Sequence, residues 1–130
     1  MTAFVDTNIL VRHLTGNPPA MAKRATAFLA SQPELYLADL IVAETVYVLE
    51  SFYKAPRDQV AEAMRSLIAM RSMITVDPAL LLRAIEVYEV DRLDFAEAYL
   101  VASAESTGIG SIASFDKAID RVTTVTRLEP

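Results

Sequence analysis

The chain has 130 residues, of which 53% are hydrophobic, and its formal net charge at pH 7 is −5. This composition supports a packed core rather than disorder, and we expect a single domain over residues 1–130. Because the sequence has no cysteine, it excludes a disulfide framework, a thiolate zinc site and a thiol nucleophile.

The sequence also lacks the marks of membrane and secreted proteins. Charged residues interrupt every apolar stretch before it reaches the roughly 18 residues that a membrane-spanning helix needs. The first residues lack the basic region of a signal peptide, and Asp6 lies inside their apolar run. We therefore expect a cytoplasmic protein with no membrane partner.

The first 76 residues alternate short apolar strands with helical patterns. The first strand stops at Asp6, and Asp39 is placed to cap the helix that follows the second strand. The inner face of that helix is predicted to contain Ile41, Thr45, Val48, Leu49 and Phe52. In chain order, the pattern predicts a strand at 3–5, helical turns at 9–14, a helix at 20–30, a strand at 35–37, a helix at 40–52, a helix at 56–68 and a strand at 73–76.

The remaining residues continue the alternation. A helix with an apolar face at 81–88 is followed by a second helix that Asp94 opens and Gly108 ends. A strand is predicted at 111–113 and a last edge strand at 122–128. Strands that alternate with helices indicate an α/β fold, here a three-layer α/β/α sandwich with a short, mainly parallel sheet of four or five strands.

Four acidic residues are expected at one edge of this sheet. Asp6 and Asp116 follow predicted strands, Asp94 starts a helix, and Glu44 lies one turn into its helix. Open parallel sheets bind ligands at the carboxyl ends of their strands, so these carboxylates are predicted to converge there. Clustered carboxylates repel one another unless protons or cations neutralise them, and oxygen ligands suit Mg²⁺ or Mn²⁺. Cleavage of phosphodiester bonds is the chemistry that such a site favours.

Each acid also has a structural explanation. Asp94 and Glu97 have the spacing of a capping box, and Asp116 is placed to cap a short helix. Asp6 is placed to start a turn, and Glu44 is compatible with an ordinary solvated helix position. It is the joint placement of the four at one edge that favours a site.

Four short motifs carry a resemblance to a known family. They are VDTNIL at 5–10, AETVYVL at 43–49, LDFAEA at 93–98 and SFDK at 114–117. In order and spacing they resemble the motifs of the PIN domain, and within it those of the VapC-type toxin ribonucleases of toxin–antitoxin modules. The resemblance covers nearly the whole chain.

The resemblance implies an Mg²⁺- or Mn²⁺-dependent endoribonuclease that hydrolyses RNA with metal-activated water. Its catalytic residues and metal ligands would be Asp6, Glu44, Asp94 and Asp116, with Glu97 as a further candidate ligand. Thr7, Asn8 and Ser114 would support these carboxylates through hydrogen bonds. The partners that the resemblance implies are an RNA substrate, a cognate antitoxin that inserts into the acidic cleft, and a second copy of the chain in a homodimer.

Other assignments remain open. One is a PIN-fold nuclease that processes RNA or structured DNA, and another is a non-catalytic module that binds metal or a partner protein. Asp91 competes with Asp94 for a place in the site. Candidate RNA-binding groups, equally compatible with ordinary surface charge, are Arg12, Lys23, Arg24, Arg92 and Lys117.

Overall fold

The computed structural model describes residues 2–130, in which helices dominate and all strands are short. The helices are α1 (Thr7–Thr15), α2 (Pro19–Ser31), α3 (Asp39–Ser51), α4 (Arg57–Ala69), α5 (Pro78–Glu86) and α6 (Phe95–Thr107). The strands are β1 (Ala3–Phe4), β2 (Leu35–Tyr36), β3 (Met73–Ile74), β4 (Ser111–Ala113) and β5 (Thr126–Leu128). A π-helical segment, Val87–Asp91, continues α5, and a 3₁₀ segment, Lys117–Arg121, follows β4. The chain divides into two compact units, Met1–Val76 and Asp77–Pro130.

The first unit is built on a parallel sheet with the strand order β1-β2-β3. Leu35 of β2 pairs with Ala3 on one side and with Met73 on the other. One further hydrogen bond, from the Val5 N–H to the Tyr36 carbonyl oxygen (3.0 Å), extends the sheet toward Asp6. Helix α1 contacts both α2 and α3, and α3 contacts α4. The fully buried side chains of this unit include Leu10, Leu29, Leu35, Val42, Met64 and Leu67.

Helix α3 presents a different face to the core from the one that the sequence pattern predicts. Its buried residues are Val42, Thr45, Val46 and Leu49. The prediction that Phe52 points inward is wrong, because its side chain is 78% exposed. Apolar residues of α3 occur on more than one of its faces, so periodicity alone does not identify the buried face. The expected capping role of Asp39 is also wrong, since the helix begins at Asp39 and Ala38 occupies the N-cap position.

The second unit contains the parallel pair β4-β5, in which Ile112 pairs with Arg127. Helix α5 begins with Pro78 in its first turn, and the Asp77 carboxylate accepts a hydrogen bond from the Leu80 N–H (3.1 Å). Helices α5 and α6 form the main contact of this unit. Its fully buried side chains include Leu81, Ile85, Tyr88, Leu93, Val101 and Ile119. Leu81, Ile85 and Tyr88 of the predicted apolar face are buried, but the prediction that Leu82 belongs to that face is wrong, because Leu82 is 41% exposed.

A salt bridge also joins α5 to α6 within this unit. The Arg83 guanidinium donates to both carboxylate oxygens of Glu105, through Nε to Oε1 (2.8 Å) and through Nη2 to Oε2 (2.9 Å). The Thr124 hydroxyl also donates to Glu105, and Arg83 has a second ion pair with Glu86. These hydrogen bonds lower the pKa of the Glu105 carboxyl, since they favour its charged form.

The predicted α/β class with short parallel strands is confirmed. Five strands are present in the described residues, and their hydrogen bonds arrange them as a set of three and a set of two. The last strand is shorter than the predicted 122–128, because the 3₁₀ segment ends at Val122 and pairing starts only at Thr126. The single domain over 1–130 stays a prediction. Within residues 2–130, no helix has both the length and the apolar character required to cross a membrane.

Candidate active site

Asp6 lies where the chain leaves the sheet of the first unit and enters α1. Val5 before it is buried and hydrogen-bonded to β2, whereas the Asp6 side chain is exposed. Asp6 is the N-cap residue of α1, in extended conformation (φ −91°, ψ 157°), and its Oδ1 accepts a hydrogen bond from the Thr7 N–H (2.8 Å). The N-cap bond uses one carboxylate oxygen, so the other remains open to a ligand.

Thr7 is buried beside this carboxylate, but its hydroxyl is not satisfied. Only 5% of the residue is exposed, and Oγ1 has no hydrogen-bond partner among the residues that the structure describes. A buried hydroxyl without a partner is costly, so it indicates a place for an ordered water molecule or a ligand. The predicted supporting role of Thr7 is compatible with this position.

Asp6 and Glu44 line the same groove. The groove has a volume of about 320 Å³, and its lining residues come from the start of α1, from α3 and from the segment just after α3. Glu44 lies on the exposed side of α3, next to the buried Thr45. The lining residues are Asp6, Thr7, Asn8, Val11, Arg12, Glu44, Val48, Phe52 and Tyr53. The structure thus brings together two of the predicted carboxylates and the candidate RNA-binding Arg12.

In the second unit, Asp94 is the N-cap residue of α6. Its carbonyl oxygen accepts the first helical hydrogen bond, from the Ala98 N–H (2.8 Å). Its carboxylate makes no capping bond within residues 2–130, which leaves both oxygens available. Glu97 supplies the other half of a capping box, because its carboxylate accepts a hydrogen bond from the Asp94 N–H. The predicted capping box is therefore half formed.

Glu97 and Asp116 share a hydrogen bond between their carboxyl groups. Burial, the hydrogen bond to Asp116 and the negative charges of Asp116 and Asp94 together raise the pKa of Glu97 to about 7, with burial as the largest cause. The pKa of Asp116 moves the other way, below its ordinary value, because the Ala118 N–H and the Glu97 carboxyl donate hydrogen bonds to its charged form. Of the two carboxyl groups, Glu97 is thus the one that donates the hydrogen bond and Asp116 the one that accepts it.

Short polar contacts hold Asp116 at the end of β4. The Asp116 N–H donates to Ser114 Oγ (2.9 Å), and Asp116 Oδ1 accepts from the Ala118 N–H (2.9 Å). Asp116 therefore caps the 3₁₀ segment, as its sequence position predicts. Ser114 acts through the backbone of Asp116, since its hydroxyl accepts from the main chain.

Two arginines that the sequence analysis did not single out support these acidic segments. Arg121 Nη1 donates to the carbonyl oxygens of Arg92 (3.0 Å) and Asp91 (3.4 Å), in the turn before Asp94. Arg127 Nη1 donates to the Ser114 carbonyl (3.1 Å), and the same guanidinium binds both carboxylate oxygens of Asp120. The positive charges of both arginines also lower the pKa of Asp116. No local sequence signal marks them, because their partners lie 7 to 30 residues away along the chain.

Asp91 is a weaker candidate than Asp94. It ends the π-helical segment, and its carbonyl oxygen accepts from Arg121. The next residue, Arg92, has a left-handed conformation (φ 60°). Leu93, which follows it and precedes Asp94 in the sequence, is fully buried. Besides Asp116, the carboxylate whose negative charge raises the pKa of Glu97 is that of Asp94.

The donor set suits a hard divalent cation. Exposed carboxylates at Asp6 and Glu44 in the first unit, and at Asp94 and Asp116 in the second, offer oxygen ligands. A cation could also replace the proton of the hydrogen bond between Glu97 and Asp116. Over residues 2–130, no three or more Asp, Glu, His or Cys side chains are already arranged as a metal site. The structure brings Asp6 together with Glu44, and Glu97 together with Asp116 and Asp94. The convergence of all four predicted carboxylates stays a prediction.

Comparison with known proteins identifies the family of the chain. No curated protein matches it. Among solved structures, it is similar to the Mycobacterium tuberculosis toxin VapC20, whose crystal structure is described as that of a sarcin-ricin loop cleaving toxin. The identity is 24%, the match covers 91% of this chain and 92% of the other, and the TM-score is 0.44. Residues 3–125 match the family model of the PIN domain, nearly the full length of the chain. The chain therefore belongs to the PIN domain family.

Proposed function

We propose that this chain is a divalent-metal-dependent endoribonuclease that acts as the toxin of a toxin–antitoxin pair. The observation that carries the nuclease proposal is the contact between the Glu97 and Asp116 carboxyl groups, within the electrostatic reach of Asp94. Three acidic side chains at the starts of two elements raise the energy of the unligated protein, and perturbed carboxyl groups of this kind cluster at functional sites. Membership of the PIN family supports the same assignment.

The residues proposed to hold the cation are Asp6, Glu44, Asp94 and Asp116, with Glu97 as an auxiliary ligand or proton carrier. When bound, Mg²⁺ or Mn²⁺ would lower the pKa of a water molecule and offset charge on the phosphate oxygens. Asp94 has both carboxylate oxygens free of capping bonds within the described chain, which suits a ligand. Glu97 would release its proton as the cation enters, because metal ligands bind in their deprotonated form.

The remaining residues of the site would position the carboxylates. Asp6 is oriented by its N-cap bond to the Thr7 N–H, and Asp116 is oriented by Ser114 and Ala118. Arg121 and Arg127 hold the backbone before Asp94 and before Asp116. Because these carboxylates are fixed by backbone contacts, little reorganisation is needed when substrate binds.

Cleavage of a structured RNA pool by the purified protein tests the nuclease proposal. We expect cleavage with Mg²⁺ or Mn²⁺, none with a chelator, and a loss of at least about 100-fold in Asp94→Asn. Equal cleavage by both proteins would identify a contaminant. If neither protein cleaves any RNA or DNA while the parent still binds Mn²⁺, a metal- or partner-binding module becomes the better assignment.

The toxin role needs a separate test, because a PIN nuclease that processes RNA would pass the cleavage assay. Induced expression of the parent chain in a bacterial host is expected to stop growth, whereas Asp94→Asn expressed at the same level is not. An antitoxin that inserts into the acidic cleft and a homodimer belong to the same proposal, on the strength of the family resemblance. Growth at the normal rate, in cells that contain active soluble nuclease, would contradict the toxin assignment.

A further inference from the structure

The groove of the first unit has two chemically different ends. Its lining includes the Asp6 and Glu44 carboxylates as well as the rings of Phe52 and Tyr53. Glu44, Val48 and Phe52 are spaced four residues apart and therefore follow one line along α3 and its C-cap. Eight residues of helix place Phe52 about 12 Å along the axis from Glu44. The groove thus leads from an acidic site to an aromatic one.

The aromatic end is exposed rather than part of the core. Phe52 is 78% exposed, and its ring centroid lies 5.3 Å from that of Tyr53, with the two planes inclined by 59°. A single exposed phenylalanine is common on protein surfaces. Its position in a groove that also contains two carboxylates of the proposed site is what makes it informative.

A cation lies in the same groove. Arg12 lines it from α1, one turn after Asn8. Its guanidinium makes no ion pair or side-chain hydrogen bond with any residue in 2–130. An arginine without a protein partner shares this groove with an aromatic face. The two groups match the two chemical features of a nucleotide, which are an anionic phosphate and a flat base.

We propose that the groove is a nucleobase subsite, in which one unpaired base of the RNA stacks against Phe52 and Arg12 binds an adjacent phosphate. This inference rests on the proposed function, because it assigns to the groove a base that flanks the bond to be cleaved. The occupant is single-stranded, since a base in a duplex has no free face to stack on an aromatic ring. Tyr53 forms the second wall of the stacking site.

An apolar or acidic side chain of a protein is a less suitable occupant of the groove. An apolar side chain would fill the aromatic end but would leave the Arg12 charge without a partner. An acidic side chain would pair with Arg12 but would meet the carboxylates of Asp6 and Glu44 in the same groove. A nucleotide satisfies both ends if the divalent cation of the proposed function screens the carboxylates.

The chain offers a direct optical test, because it contains no tryptophan. Phe52→Trp would introduce a single indole at the proposed stacking position. Tyr47→Trp is the matched control, since Tyr47 lies on the same helix and is 68% exposed but does not line the groove. Both variants keep the proposed cation ligands, and Ca²⁺ replaces Mg²⁺, so that the carboxylates stay screened while a short single-stranded RNA stays intact.

We expect a saturable loss of the indole emission of Phe52→Trp when the RNA is added, and no such loss for Tyr47→Trp. An oligonucleotide of the same length without bases should bind through its phosphates and leave the emission unchanged. In a separate binding assay, Phe52→Ala should weaken RNA binding about 5- to 150-fold, the effect of removing one stacking contact. Arg12→Gln should reduce the salt dependence of binding by about one phosphate contact.

The outcomes separate this inference from the proposed function. If the parent cleaves RNA but the indole emission of the two tryptophan variants changes alike, the subsite is wrong and the nuclease proposal stands. A protein side chain then becomes the better occupant of the groove. If the parent cleaves nothing but Phe52→Trp alone responds to bases, the groove binds single-stranded nucleic acid and the nuclease proposal is wrong. Quenching of the Phe52→Trp emission by the oligonucleotide without bases would overturn the stacking contact itself. Circular dichroism of each variant verifies the fold.

Discussion

Glu105→Gln tests how strongly the salt bridge between α5 and α6 stabilises the second unit. The substitution keeps the length of the side chain and one carbonyl oxygen, but removes the charge that Arg83 binds. In the parent chain Arg83 donates to both Glu105 oxygens, at 2.8 Å and 2.9 Å. The Glu105 side chain is only 21% exposed and that of Arg83 is 33% exposed, so solvent screens this pair less than an ordinary surface pair.

The expected loss is about 1–2 kcal/mol of the free energy of unfolding. A hydrogen bond to a charged group contributes about 1.5–3 kcal/mol when buried, and partial exposure reduces that contribution. The amide introduced by Glu105→Gln can still accept one of the two hydrogen bonds through its carbonyl oxygen. In a domain of this size, 1 kcal/mol corresponds to roughly 4 °C in Tm.

The effect depends on pH with a definite sign. Hydrogen bonds from Arg83 and Thr124 hold the pKa of Glu105 below its ordinary value. The stabilisation is therefore fully present above the pKa of the unfolded chain, about 4.3, and is lost as the pH falls through the lower folded-state value. The parent and Glu105→Gln should differ at pH 7 and converge in acid.

Urea unfolding at pH 7 and at about pH 3, followed by circular dichroism, measures both quantities. Glu86→Gln is the matched control, because Glu86 also pairs with Arg83 but is 56% exposed. It should change stability by less than about 0.5 kcal/mol. A difference between parent and Glu105→Gln that is the same at both pH values would refute the electrostatic explanation and leave only a packing effect.

Three further predictions concern the site, the end of α6 and the core. Arg127→Met should lower kcat about 10-fold with an unchanged far-UV circular dichroism spectrum, because the Ser114 carbonyl and Asp120 lose their hydrogen bonds to Arg127. Steady-state kinetics measure this effect, and an unchanged kcat would show that the loop holds Asp116 without Arg127. Gly108→Ala should lower the free energy of unfolding by about 1 kcal/mol through backbone strain alone, since Gly108 has φ 76° and open space where a Cβ would lie. Ser106→Ala is a control in the same turn, and equal thermal unfolding midpoints of the two variants would contradict the strain. Leu29→Ala should lower the free energy of unfolding in urea by about 2–5 kcal/mol, because Leu29 is 0% exposed in the core of the first unit. A loss below about 1 kcal/mol would mean that neighbouring side chains close the cavity.

Local signals explain what the sequence could predict. The pattern predicts Asp6 and Asp116 just after strands and Asp94 at the start of a helix, and all three lie there. Each position depends on a cap or a strand end, which a few neighbouring residues determine. The fold class follows from the same local alternation of short apolar runs with helical patterns.

Contacts between distant residues explain what the sequence could not predict. The buried face of α3 depends on which neighbours pack against it, and its apolar residues leave more than one face available. The periodicity therefore assigns Phe52 to the core although it lies in the groove. Arg121 and Arg127 each act on carbonyl groups outside their own element, so no spacing rule identifies them.

The acidic group of the second unit is better explained by function than by stability. Glu97 and Asp116 repel each other unless a proton or a cation lies between them, and burial together with this contact raises the pKa of Glu97 to about 7. Yet the fold holds Asp116 in place with contacts from Ser114, Ala118 and two arginines. A chain selected only for stability would have no reason to support an unfavourable pair in this way. The supporting contacts make sense if the pair is kept ready for a ligand that is stronger than a proton, which is the role that a divalent cation has in the proposed nuclease.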